Sequence, residues 1–146
     1  MPDDLAASNV NRSYSLAASS LAIFTFMLVF LYPRVATGEV NSALFQATLV
    51  VMGVATFAFV LAAFHYYGTS LGSRISAAEH VAFGRRADRL WALGYTLLFL
   101  APSLILFAVG MIAVGSVWLA LWLGYLVFTI RYFPRVQTIT DDIRGT

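Results

Sequence analysis

Four stretches of the chain are almost pure hydrocarbon, and polar residues separate them. Residues 14–32, 43–67, 90–110 and 113–133 contain no carboxylate and no lysine, and their one arginine, Arg131, stands near the end of the fourth. A helix needs about 20 apolar residues, at 1.5 Å each, to cross roughly 30 Å of hydrocarbon. The pattern therefore predicts an all-α polytopic membrane protein, a single domain (residues 1–146) of four transmembrane helices.

The punctuation between the runs sharpens that reading. Tyr14 and Tyr32 stand at the two ends of the first run, where amphipathic rings prefer the headgroup level. Pro33 is expected to end the first helix, because the residue before a proline avoids the α region. Residues 1–13 are polar and expected to fray or lie at the interface. The run is longer than the apolar core of a signal peptide and no A-x-A site follows it, so it reads as a retained span. Residues 34–42 form a short polar loop in which Asn41 or Ser42 can cap the second helix. The second run is long enough to require tilt or protrusion past the bilayer surface.

Residues 68–90 break the hydrocarbon most completely, with Arg74, Glu79, Arg85, Arg86, Asp88 and Arg89. They read as a water-facing hinge between two helical hairpins. Gly68 and Gly72 loosen the end of the second helix, and Ser76 with Glu79 matches a capping box that starts a new helix near Ala77. That helix can run without a break into the third span, where Pro102 is expected to kink it. Gly110 to Gly115 reads as a tight uncharged turn, and Pro134 as the stop of the fourth helix.

Composition agrees with lipid as the solvent. Only 11% of residues are charged and 60% are hydrophobic, against about 25% charged in a soluble domain. There is no cysteine, which excludes disulfides, thiolate-bound zinc, iron–sulfur clusters and thiol catalysis. The net charge of +2 matters through its placement. Arg12, Arg74, Arg85, Arg86, Arg89, Arg131, Arg135 and Arg144 fall on one side of a four-span topology, and only Arg34 on the other. The positive-inside rule then assigns both termini and the hinge to the cytoplasm. All nine basic residues are arginine, which suits a GC-rich prokaryotic genome and hence an inner (plasma) membrane. Too few basic residues lie away from the membrane flanks for nucleic-acid binding.

Helices in lipid associate by close packing and polar contacts, so small residues three or four apart mark contact faces. The fourth span carries such a row in Ser116, Ala120 and Gly124, and the first in Ser15, Ala18, Ala22 and Thr25. The second has Thr48, Ala55, Ala58 and Ala62, a stripe that arrives at His65. Trp118, Trp122 and Tyr125 lie about half a turn from the fourth-span row and are expected to face lipid or a neighbouring subunit. These rows serve either intramolecular packing of one bundle or a homo-oligomer interface.

Candidate chemistry is sparse. His65 is the one ionisable side chain well inside an apolar run; it reads as an interfacial imidazole, or as a pH-sensitive gate given an unperturbed pKa near 6.5. His65, Glu79 and His80 lack the spacing of a metal site. The hydroxyls of Thr25, Thr48, Thr56 and Ser103 can line a pore or bond to their own helices. Arg74, Arg85, Arg86, Arg89, Arg131 and Arg135 form a basic ring that sets topology and contacts anionic lipid headgroups. With no nucleophile–base pair, carboxylate dyad or phosphate loop, the expectation is a non-enzyme without cofactors. Two functions follow: a small homo-oligomeric channel or pore, or a non-catalytic accessory subunit of a larger membrane complex.

Overall fold

A computed structural model describes the backbone of residues 2–69 and 76–144, and the side chains of 7–69, 76 and 78–131. The chain forms four helices: α1 (Pro2–Ala36), α2 (Ser42–Thr69), α3 (Ala77–Ala108) and α4 (Ile112–Arg144). Each contains a segment long and apolar enough to cross a membrane. Large apolar side chains face outward around the molecule, among them Phe57, Val50, Leu121 and Ile130. Water would penalise such a surface heavily, and hydrocarbon does not.

Local capping sets where the helices begin and end. The Asn41 side-chain oxygen accepts from the Leu44 amide at 3.1 Å and opens α2. Ser76 caps α3 in the expected box: its hydroxyl accepts from the Glu79 amide, and the Glu79 carboxylate accepts from the Ser76 amide at 2.9 Å. Helices α1 and α3 end alike. Gly38 and Gly110 take positive φ (79° and 80°). Glu39 and Met111 then donate back to Arg34 and Leu106, while Gly38 and Gly110 donate to Val35 and Phe107. This is the Schellman arrangement, which satisfies the last helical carbonyls and needs a residue tolerant of positive φ.

Two expected helix ends are corrected. Helix α1 takes in the polar residues from Pro2 onward and runs through Pro33 to Ala36. Helix α4 continues past Pro134 to Arg144. A proline inside a helix removes one N–H and crowds one carbonyl, but the flanking turns keep their own bonds, and Pro33 stands only one turn from the end of α1. Helix α3 runs unbroken from the cap at Ser76 through Pro102; beside that proline, the Ser103 hydroxyl donates to the Leu100 carbonyl at 2.8 Å. Gly72 and Arg74 lie outside the described residues.

The helices pack in chain order, α1 on α2, α2 on α3 and α3 on α4. Helix α2 is the most enclosed. Its buried residues Phe45, Thr48, Met52, Ala55, Phe59 and Ala62 alternate steps of three and four, the spacing of a coiled-coil seam. The start of α1, the end of α2, the start of α3 and the end of α4 stand at one end of the bundle, and the two turns at the other. There the Asn41 amide donates to the Ala108 carbonyl at 2.9 Å and ties the hairpins together.

Candidate functional site

Close approach of α2 and α3 builds the centre of the molecule. Ala87, Gly94, Ala101 and Ala108 recur every seven residues along α3, and all four are buried. Small residues at that period let two backbones approach closely in lipid. The Phe59 ring of α2 fills the space above Gly94 and meets Tyr95 edge-on at 5.6 Å. Trp91, Tyr95 and Phe99 continue as an aromatic ladder along α3. The period of seven falls outside the three-and-four spacing that marks contact faces, and Ala87 lies within the 68–90 hinge, so the row does not stand out in the sequence.

At the arginine-rich end of the seam the Tyr66 hydroxyl of α2 donates to the Asp88 carboxylate of α3 at 2.7 Å. Both residues are half-buried. Arg12 of α1 is near enough for its charge to act on the Tyr66 hydroxyl. In the sequence Asp88 is one of the hinge charges; packing of α3 on α2 is what brings it to Tyr66.

The α1 residues facing α2 are Ser13, Ala17, Ser20 and Met27, all buried. The Ser13 hydroxyl bonds to the Asn9 carbonyl, whereas the Ser20 hydroxyl is enclosed without a partner. Ala55, Ala58 and Ala62 are buried in α2. The other two rows face outward: Ser15, Ala18, Ala22 and Thr25 on α1, and Ser116, Ala120 and Gly124 on α4. A Cβ added at Gly124 would meet nothing within 4 Å.

Helix α4 docks through the opposite face. The Trp122 indole N–H donates to the Thr96 carbonyl at 2.8 Å, Tyr125 packs on Phe99 at 5.3 Å, and Gly115 lies against Phe107. Within the subunit the expectation for this helix is therefore reversed. Trp122 and Tyr125 turn inward to α3, while the small row and Trp118 stay outside. A half-buried indole turned into the seam brings a donor that must find an acceptor, and a backbone carbonyl supplies it.

The remaining candidates spread out. Thr25 is exposed, Thr56 half-buried, and Thr48 and Ser103 wholly enclosed; each hydroxyl donates to its own helix backbone. His65 is half-buried, with Nδ1 2.8 Å from the Leu61 carbonyl and its ring 5.8 Å from Phe83. Arg85, Arg86, Arg89 and Arg131 are exposed. Arg74 and the Arg135 side chain lie outside the described residues. No known protein family, curated protein or solved structure matches the chain.

Proposed function

We propose that the chain is the non-catalytic subunit of a small homo-oligomeric membrane channel or pore, set in a prokaryotic inner membrane with its arginine-rich end in the cytoplasm. The observation that supports this is the pair of small-residue rows left outside the subunit, one on α1 and one on α4, the first and last helices of the packing order. A contact between the α1 row of one copy and the α4 row of the next is head-to-tail, and such contacts close into rings when the rotation permits. Thr25 lies in the α1 row and brings a hydroxyl to that junction. Thr48 and Ser103 are enclosed between helices, so the lining role falls to Thr25 and the half-buried Thr56.

A second reading has support of its own. Each of the four hydroxyls bonds to its own backbone, and the same outward rows suit a larger membrane partner for which this chain is an accessory subunit. Native mass spectrometry of gently extracted protein separates the two. A homo-oligomer whose reconstituted form carries ions, with flux altered by Thr25→Val, supports the pore. A stoichiometric complex with another chain and no flux overturns it. Ala120→Leu and Gly124→Leu are expected to break the homo-oligomer while leaving the subunit folded, because both residues are exposed and a Cβ at Gly124 would meet nothing within 4 Å.

A further inference from the structure

Measured along the helices, Arg12, Arg89 and Arg131 stand at one level of the arginine-rich end, and every carboxylate residue of that end but Asp88 stands farther out, as does Arg144. Arg12 stands 22 residues before Arg34 on α1, and Arg89 and Arg131 each stand 21 residues from Gly110 on α3 and α4. At 1.5 Å per residue each interval is about 32 Å, close to the roughly 30 Å hydrocarbon thickness of a bilayer. With the turns at one membrane surface, three helices therefore bring an exposed arginine to the other surface at one depth. Tyr14 and Tyr67, both exposed, flank that level on α1 and α2, and Arg86 stands one turn beyond it on α3.

The carboxylate residues are placed differently. Asp3 and Asp4 fall in the first turn of α1, Glu79 in the first turn of α3, and Asp141 and Asp142 in the last turn of α4. These positions are about ten residues, or about 15 Å, farther from the membrane than the arginines. That exceeds the Debye length of about 8 Å at physiological ionic strength, so these charges are largely screened from the arginine level. Among the described residues Asp88 is the one carboxylate at the arginine level, and its inward hydrogen bond to Tyr66 turns it from the outer surface. The extension of α1, α3 and α4 beyond the hydrocarbon produces this separation.

We propose that Arg12, Arg89 and Arg131, with Arg86 beside them, form a belt that binds the phosphodiester groups of anionic phospholipids in one leaflet. Guanidinium groups suit this ligand because they stay charged and match phosphate oxygens in pairs. The inference requires membrane insertion only, and it stands whether or not the assembly conducts.

The test reconstitutes the full chain in bilayers of mixed phosphatidylglycerol and phosphatidylcholine and counts the lipids it retains in native mass spectrometry. The wild type is expected to retain phosphatidylglycerol above its share of the bilayer. Replacing Arg12, Arg89 and Arg131 together by Gln should remove that enrichment, with a loss of roughly fivefold in affinity per arginine. Replacement of the three by Lys should keep most of it, and Arg34→Gln, which removes a lone arginine at the other surface, should cost far less than the triple Gln change. A wild type that retains lipid in the bulk ratio overturns the proposal, as does a triple Gln variant that retains phosphatidylglycerol like the wild type. If that variant fails to insert, the wild-type ratio and the single change Arg89→Gln decide.

Discussion

Phe59 of α2 and Gly94 of α3 are in direct contact, and the contact leaves no room for a methyl group: a Cβ at position 94 would lie 2.8 Å from the Phe59 ring. Both residues are buried, and neighbouring Ala55, Ala62, Ala87 and Ala101 extend the tight seam. Gly94→Ala is therefore expected to destabilise the chain by about 1–3 kcal/mol, the usual cost of overpacking. Reversible unfolding in mixed detergent micelles measures it. Phe59→Leu in the Gly94→Ala background should recover part of the loss, because the smaller side chain clears the added methyl. Additive losses in the double variant would mean that the two residues do not compete for the same space.

Helix α4 is hydrogen-bonded to α3 from the Trp122 indole to the Thr96 carbonyl. Trp122→Phe keeps an aromatic ring and removes the donor, at an expected cost of about 0.5–1.5 kcal/mol. The loss should appear as faster protease cleavage in the 109–111 turn, where the loosened α4 separates from α3. Thr96→Ala should not reproduce it, since the acceptor is a backbone oxygen and the Thr96 hydroxyl bonds only to Ala92.

The glycines divide into two classes by conformation. Gly38 and Gly110 hold positive φ at the ends of α1 and α3, so Ala at either should cost about 1–2 kcal/mol. Gly53 and Gly84 lie inside helices, and an added Cβ at either meets nothing within 4 Å. Ala there should stabilise by about 0.5–1 kcal/mol, through the better helix propensity of alanine. Thermal unfolding of the four single variants checks the opposite signs.

Several elements were legible before any tertiary structure. The four apolar helices, the Ser76–Glu79 cap and the Asn41 cap depend on neighbours within a few residues, and the helix count and both caps appear as the residues called for. The prolines misled at two helix ends. Pro33 and Pro134 stand where a stop is expected, yet α1 and α4 continue past them. A proline penalises one hydrogen bond, while the rest of a long helix in an apolar medium strongly favours satisfying every other backbone group within itself.

The sequence by itself determined that there are four helices, each long and apolar enough to cross a membrane, and how α2 and α3 are capped, because these follow from local hydrogen bonding and the length of apolar runs. Tertiary structure alone decided which face of each helix meets which neighbour. In water an apolar stripe marks the inner side; in hydrocarbon both sides of a helix are equally apolar, and that signal disappears. Small-residue rows therefore appear both inside, at Ala55–Ala58–Ala62 and Ala87–Gly94–Ala101–Ala108, and outside, at Ser116–Ala120–Gly124. What turned α4 was the need of the Trp122 N–H for an acceptor, and what brought Asp88 inward was the Tyr66 hydroxyl across the α2–α3 seam. Both partners are distant along the chain, and only packing brings them within reach.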